Sequence, residues 1–280
     1  PPPAPETKDG AVSLLHGPSR PAGALARLRR PAHRPAAGEA AGGGRPGGRP
    51  RAVRELLLVT ALFLVYKFGR LLASGRVAEA FDNAHRVWHL ERVLDLPSET
   101  GVQQELLQSQ FLVQAANCYY AYVHFPAAIA FLLWIYLRRP VHYRWVRRVM
   151  VALTGIALVL HLLVPLAPPR MLPHTGLIDT AARFGPAVYG PPQADTVANQ
   201  YAAMPSLHIG WAAVIALGLI ITSRTRWRWL WLLHPVLTIA VVVSTANHYW
   251  LDGIVVLALL AVSVLLLRPP PAQRPVRAPG

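Results

Sequence analysis

Three ionisable residues at the starts of two apolar segments are the strongest candidates for chemistry in this chain. His208 closes the segment Ala-Met-Pro-Ser-Leu-His, and His248 and Asp252 lie in Asn-His-Tyr-Trp-Leu-Asp. Residues four apart share one face of a helix, so Asp252 can accept a hydrogen bond from one ring nitrogen of His248. The other nitrogen then remains basic, which is how a nucleophilic histidine is prepared.

The elements that must position these residues are apolar helices. The chain has 280 residues, of which 53% are hydrophobic and 15% are charged, and its mean hydropathy is +0.33. Six apolar segments approach the length of about 20 residues that an α-helix needs to cross a bilayer. They are residues 53–73, 112–137, 146–167, 204–223, 228–247 and 249–268. We therefore expect an all-α, polytopic membrane protein with six transmembrane helices.

The segments between and beside these helices differ from them in composition, and each composition predicts a different kind of structure. Residues 77–110 combine charges with apolar periodicity, which predicts one or two amphipathic helices at the membrane interface. Residues 168–203 are punctuated by Pro and Gly and predict a loop. Residues 1–50 are rich in Pro, Gly, Ala and Arg, so we expect a disordered basic cytoplasmic tail rather than a signal peptide. Residues 51–268 then form the membrane domain, and 269–280 a short cytoplasmic tail.

The basic residues predict how the membrane domain is oriented. They cluster before the first segment, between the second and third, between the fourth and fifth, and after the sixth. All four clusters fall on one side of a six-helix arrangement, and the positive-inside rule makes that side cytoplasmic. We expect a multi-pass protein of the cell membrane with both termini in the cytoplasm. The net charge of +15 follows from this topology and the basic tail, and it requires no nucleic-acid partner.

This orientation places the candidate residues in one extracytoplasmic plane. Arg170 follows the third segment, His208 begins the fourth, and His248 and Asp252 begin the sixth. Cleavage of a lipid phosphoester needs a nucleophile, an acid for the leaving group and cationic donors for the phosphoryl oxygens. His248 would attack phosphorus, His208 would protonate the leaving oxygen, and Arg170 would bind the phosphate through its planar fork.

The start of the fourth segment is expected to supply further hydrogen-bond donors for the phosphate, and the proposed reaction needs no metal. Ser206 and the backbone amides beside it would add donors at a helix N-terminus, which favours anions. We expect neither a metal nor another cofactor, since the sequence offers no carboxylate cluster for Mg²⁺. The single cysteine, Cys118, excludes an internal disulfide and a cysteine-based metal site.

These motifs resemble those of the type 2 phosphatidic acid phosphatase superfamily, over about residues 56–267. That family has a basic Arg-Pro motif, a Pro-Ser-x-His motif and a final His-x-x-x-Asp. The resemblance is strongest to the branch containing the inositol phosphorylceramide synthases, which share Pro-Ser-Leu-His and a His-Tyr-x-x-Asp segment. It implies that His208 is the acid and base, His248 the nucleophile, Asp252 its orienting partner, and Arg170 a phosphate ligand.

Two positions depart from the family pattern. Pro168 and Pro169 precede Arg170, and no Lys stands seven residues upstream of it. Val242 stands six residues before His248, where the family usually has an arginine, and Thr245 and Asn247 are the nearby polar residues. Asn247 is therefore a further candidate for binding phosphate.

Tyr120 and His124 are secondary candidates that admit two interpretations. They are four residues apart in the second apolar segment and can face the same cavity, where they would hold an acceptor hydroxyl or a phosphate oxygen. A hydrogen bond between packed helices explains them equally well. His85 and His89 have metal-like spacing, but a solvated helix face explains them better.

The type of reaction stays open between two outcomes that share a first step. If water resolves the phosphohistidine, the protein is a lipid phosphatase; if an alcohol such as a polyol resolves it, the protein is a phosphotransferase of phosphoinositol-type head groups. In both cases the partner is a lipid phosphate or phospholipid. A noncatalytic transporter or lipid-binding protein on the same fold is the alternative, although we find no internal repeat of the kind that transporters show.

Overall fold

The regular elements of this protein are helices. The computed structural model describes residues 52–72, 76–186 and 200–270; the predicted tail 1–50 and residues 271–280 lie outside this part. Within the described residues there is no strand, and an isolated bridge pairs Leu166 with Ala202. The prediction of an all-α fold is confirmed for this part of the chain.

The described residues contain ten α-helices and three short 3₁₀ segments. The α-helices are α1 (Ala52–Leu72), α2 (Val77–Val93), α3 (Glu99–Leu107), α4 (Gln110–Tyr122), α5 (His124–Arg138), α6 (Pro140–Leu163), α7 (Thr180–Phe184), α8 (Leu207–Thr222), α9 (Leu233–Ser244) and α10 (Trp250–Leu266). The 3₁₀ segments are Pro169–Met171, Pro173–Thr175 and Arg226–Leu232.

Each predicted apolar segment coincides with one helix or with two consecutive helical elements. By length and composition, two stretches of the described residues can cross a membrane: Pro140–Leu163 and the continuous Arg226–Ser244. The α4–α5 pair becomes a third if it forms one span. Helices α8 and α10 are apolar but shorter, with 16 and 17 residues. Many large apolar side chains on the outer helix faces are exposed, which is compatible with a membrane protein.

The second predicted span is bent. Helices α4 and α5 meet at Val123 with an angle of 46° between their axes. Pro126 stands in the first turn of α5, where it has no N–H to donate and its ring crowds the carbonyl of Tyr122. The bend places Tyr120 in the last turn of α4 and His124 at the first residue of α5.

The third predicted span begins and ends earlier in the chain than expected. Helix α6 starts at Pro140, a residue suited to the first helical turn, and ends before Pro165. Several arginines assigned to the connecting loop therefore lie in the helix. One of them, Arg147, forms an ion pair with the buried Glu55 of α1, and the Tyr143 hydroxyl donates to the same carboxylate at 2.9 Å.

Helix α8 is central and packs closely against its neighbours. It contacts α5, α6, α9 and α10, and the main apolar core is formed at these contacts. A Cβ added at Gly210 would lie 2.6 Å from Cγ2 of Val256 on α10. Because glycine has no side chain at this point, α8 and α10 can approach closely. Their close approach brings the residues at their N-termini together.

A smaller apolar cluster connects α2 to the loops before α8 and α10. It contains Ala80 and Ala84 of α2 together with Leu166, Leu172 and Tyr249. The Ala167 amide donates to the Ala80 carbonyl at 3.1 Å, and the Tyr249 hydroxyl donates to the Ala167 carbonyl at 3.0 Å. Residues 77–110, predicted as amphipathic, thus form two helices, and the first of them supports the loop that leads to Arg170.

Candidate active site

His248 is held by two acceptors at one of its ring nitrogens. Its Nδ1 lies 3.0 Å from Oδ2 of Asp252 and 3.0 Å from the backbone carbonyl oxygen of Ala203. Since both partners only accept, the hydrogen of the neutral ring belongs on Nδ1, and Nε2 carries the lone pair. His248 is 6% exposed and Asp252 is fully buried. This arrangement provides an oriented imidazole with a basic Nε2.

The carboxylate of Asp252 also fixes the start of its own helix. The Tyr249 amide donates to Oδ2 of Asp252 at 3.0 Å, so one oxygen serves both the helix N-terminus and His248. The turn before α10 is tight: α9 ends at Ser244, and Ala246 has a left-handed backbone with φ of 53°. The tight turn before His248 and the Asp252 carboxylate after it therefore fix the position of His248.

His208 lies beside His248, although 40 residues separate them in the chain. It is the second residue of α8, and the centroids of the two imidazole rings are 5.7 Å apart. The Ser206 amide donates to the Asp252 carbonyl oxygen at 3.3 Å, which connects the start of α8 to the start of α10. Two helix N-termini thus present their histidines to the same space.

Ser206 itself acts as the cap of α8. Its side chain is fully buried and accepts from the Ile209 amide at 3.5 Å. The structure thus gives the Ser206 hydroxyl a helix-capping contact, a role common for serine at this position.

Arg170 reaches the same region and is bound by three protein oxygens. Its Nη1 donates to Oδ1 of Asn247 at 2.8 Å, its Nη2 to Oε1 of Gln200 at 3.2 Å, and its Nε to Oδ2 of Asp179 at 3.1 Å. Its backbone amide donates to the Ala246 carbonyl at 3.0 Å. The side chain of Arg170 is only 3% exposed, so its guanidinium is fixed next to the residue that precedes His248.

Asn247 is oriented by both of its neighbours. Besides accepting from Arg170, it donates from Nδ2 to Oγ1 of Thr245 at 2.8 Å. Val242, which occupies the position where an arginine is usual, is fully buried in the core. Arg170, by its contact with Asn247, is a cationic group that the structure places next to the residue preceding His248.

Tyr120 and His124 line the other side of His208. The Tyr120 ring stacks on the His208 ring with centroids 4.6 Å apart, and the His124 ring lies 4.4 Å from it. His124 is 5% exposed, packs against Trp211, and its Nδ1 is buried with no hydrogen-bond partner among the described residues. The bend between α4 and α5 is what brings both residues to His208.

The structure adds residues that sequence reasoning did not select. Asp179 and Gln200 both contact Arg170. Their sequence separation from Arg170 follows no helix or strand periodicity, so the sequence does not predict these contacts. Asp179 also accepts from the Ala182 amide, a helix-capping role that is common for aspartate. Glu91 of α2 accepts from the Leu251 amide at 2.8 Å, beside Asp252. His161 is buried, and its Nε2 lies 3.2 Å from the Pro205 carbonyl oxygen, consistent with a structural role.

No metal-binding cluster is seen within the described ranges. There, no group of three or more His, Cys, Asp or Glu side chains is arranged to hold a metal ion. His85 and His89 are both exposed, and His85 stacks on the exposed His174 with ring centroids 4.7 Å apart.

Comparison with known families identifies one superfamily. A sequence profile of the PAP2 superfamily matches residues 85–266, well over half of the chain, and the match includes Arg170, His208, His248 and Asp252. No curated protein and no solved structure matches the chain. Membership of this superfamily indicates a phosphatase or phosphotransferase of lipid phosphates. The chain belongs to the PAP2 superfamily.

Proposed function

We propose that this protein is an integral membrane enzyme that cleaves or transfers a lipid phosphoester through a phosphohistidine at His248. The observation that carries the proposal is the pair of contacts at Nδ1 of His248, made with Asp252 and with the Ala203 carbonyl. They leave Nε2 as the nucleophilic atom, with the His208 ring 5.7 Å away. At that separation both imidazoles can reach one phosphoryl group.

In the first step, Nε2 of His248 attacks phosphorus and a P–N bond forms. The bond between phosphorus and the leaving oxygen breaks, and protonated His208 gives its proton to that oxygen. The Asp252 carboxylate stabilises the positive charge that develops on the His248 ring. The leaving group departs as a neutral alcohol, and neutral His208 remains.

In the second step, an acceptor hydroxyl attacks phosphorus while His208 takes its proton. The P–N bond breaks and His248 returns to its neutral form. With a phosphomonoester donor, the product is inorganic phosphate if the acceptor is water and a polyol phosphate if it is a polyol. With a phosphodiester donor, His248 carries a substituted phosphoryl group and an alcohol acceptor gives a new phosphodiester, as expected for a branch that resembles the inositol phosphorylceramide synthases.

We assign the binding of the phosphoryl oxygens to Arg170, Asn247 and the amides at the start of α8. Arg170 and Asn247 form a fixed pair next to His248. Because amide oxygens such as those of Asn247 and Gln200 are neutral partners, a phosphate oxygen competes well with them for the guanidinium. The N-terminus of α8, a helix of 16 residues, adds oriented N–H groups near His208.

Tyr120 and His124 are placed to contact the substrate on the His208 side. Their rings touch His208, so a group bound at His208 for proton transfer meets them as well. We assign them to the leaving group or the acceptor hydroxyl.

The proposed topology is six crossings of the cell membrane by residues 51–268, with the site at the extracytoplasmic side. The positions of His208 in the first turn of α8 and of Asp252 in the first turn of α10 support a site at the N-terminal ends of these helices. In the same arrangement α2 and α3 lie at the outer interface.

The reaction is tested by incubating the purified protein with a panel of lipid phosphates, with and without inositol or glycerol. We expect release of inorganic phosphate or formation of phosphorylated inositol or glycerol, undiminished by EDTA and inhibited by vanadate, which mimics a pentacoordinate phosphorus. The rate should be bell-shaped in pH, because one histidine must be neutral and the other protonated. Loss of activity with EDTA and recovery with Mg²⁺ would contradict the metal-free mechanism.

The topology is tested by labelling with a membrane-impermeant thiol reagent on intact cells. In a Cys118→Ser background, His174→Cys should react and Arg139→Cys should react only after the cells are opened. Both positions are exposed in the structure, so accessibility within the protein does not limit either reaction. The reverse pattern would place the site in the cytoplasm.

A further inference from the structure

Two buried glutamates lie behind the His248–Asp252 pair, outside the groups that the mechanism uses. Glu91 of α2 and Glu99 at the start of α3 are both fully buried. Arg92 donates to Oε2 of Glu99 at 2.8 Å, whereas among the described residues no donor reaches Oε2 of Glu91 or Oε1 of Glu99. A proton shared between two buried carboxyl groups would satisfy such oxygens, since neighbouring carboxyl groups do not both ionise easily.

Glu91 also caps the helix that carries Asp252. Tyr249, the residue before α10, directs its hydroxyl to the Ala167 carbonyl. Oε1 of Glu91 supplies a side-chain acceptor from another helix by accepting from the Leu251 amide at 2.8 Å. Leu251 is the residue directly before Asp252, so Glu91 contributes to holding the first turn of α10 in place, together with the Asp252 carboxylate.

We propose that Glu91 is a positioning residue for the His248–Asp252 pair, and that it caps α10 as a neutral acid whose proton is shared with Glu99. This proposal rests on the proposed function. A neutral acceptor at this place leaves Asp252 as the anion that faces His248. An ionised Glu91 would instead set a second negative charge against the first turn of α10, beside Asp252 and Glu99.

The surroundings of Glu91 favour the neutral form. Burial, the hydrogen bond with Glu99 and the charges of Glu99 and Asp252 raise the pKa of Glu91 to about 9, against the lowering effect of the Leu251 amide. Of the other groups facing it, Arg92 is engaged with Glu99, and Tyr249 is a neutral phenol hydrogen-bonded to Ala167. No cation other than Arg92 is seen against this pair in the described part of the chain.

Two variants with side chains of similar length distinguish the capping hydrogen bond of Glu91 from the space that its side chain fills. Glu91→Gln keeps the acceptor for Leu251 and a donor for Glu99, whereas Glu91→Met keeps neither. We expect Glu91→Met to lower kcat on a lipid phosphate by about 10- to 100-fold with KM within about twofold, since misplaced catalytic groups chiefly affect turnover. Glu91→Gln should recover most of that loss. Equal kcat for the two variants would overturn the proposal.

A readout that needs no activity tests the protonation state and keeps this proposal separate from the proposed function. The infrared spectrum of the wild-type protein at pH 7 should contain the C=O band of a buried carboxylic acid, which disappears as the pH rises through about 9. Glu91→Gln should lack the band, and Glu105→Gln, a change at an exposed position of α3, should keep it. Identical spectra for wild type and Glu91→Gln would contradict the shared proton even if the enzyme is active.

Thermal unfolding gives a second independent readout. Glu91 binds its proton more tightly in the folded protein, so the stability it contributes is fully present below its ordinary pKa of 4.5 and is lost as the pH rises to about 9. The melting temperature of wild type relative to Glu91→Gln should therefore fall across this range and level off above it. A difference that is independent of pH would contradict the proposal.

Discussion

Replacing His248 by glutamine should abolish turnover while the protein stays folded in the membrane. Glutamine is polar and of similar size, but it offers no ring nitrogen to attack phosphorus, so the covalent path is closed. We expect kcat to fall by roughly 10⁴-fold or more, the scale on which removing a nucleophile acts. Release of phosphate from the best substrate of the panel measures the loss.

A matched control is available in the same protein. His89 is an exposed histidine of α2, and His89→Gln should leave kcat within about twofold of wild type. Folding of both variants is compared by their elution as a single species and by their melting temperatures. A well-folded His248→Gln protein with more than a tenth of wild-type activity would show that the reaction proceeds without this histidine.

Changing Asp252 to asparagine should cause the next largest loss. The Ala203 carbonyl remains as an acceptor for Nδ1 of His248, so part of the orientation survives. The negative charge that stabilises the developing imidazolium is removed, and an amide N–H can face Nδ1 and favour the wrong tautomer. We expect kcat to fall by about 10²- to 10⁴-fold, with a smaller change in KM.

The control for this variant is Asp82→Asn, a change at an exposed carboxylate of α2 that we expect to have no effect on kcat. Because Asp252 also accepts from the Tyr249 amide, Asp252→Ala should additionally lower the melting temperature. If Asp252→Asn retained wild-type kcat, the carboxylate would serve only to cap α10, and its role in activating His248 would be disproved.

Short-range patterns in the sequence predicted much of this molecule. Apolar runs of membrane length marked the helices, and the spacing of His248 and Asp252 predicted a contact that the structure shows at 3.0 Å. Both depend on helical periodicity, which is a local property of the chain. The expectation that Arg170 and His208 lie on the same side came from counting six membrane-spanning helices, a topology that stays a prediction.

Features that depend on contacts between distant segments were not predictable in the same way. The 46° bend at Val123 brings Tyr120 and His124 against His208, but a proline in the first turn of a helix is common and does not by itself indicate a bend. The bonds from Arg170 to Asn247 and Gln200 join three separate loops. Glu91 caps a helix 160 residues away, a relation that leaves no periodic trace in the sequence.

The central claim, a phosphoryl group carried on His248, is tested most directly by trapping the intermediate. The enzyme is mixed with a lipid substrate labelled with ³²P in the phosphoryl group that is attacked, quenched with base within one turnover, and digested for mass spectrometry. We predict label that is stable to base, released by acid, and located on residue 248, with none on His248→Gln. Stable label at another residue, or product formed within the first turnover with no labelled protein at any time, would contradict the mechanism.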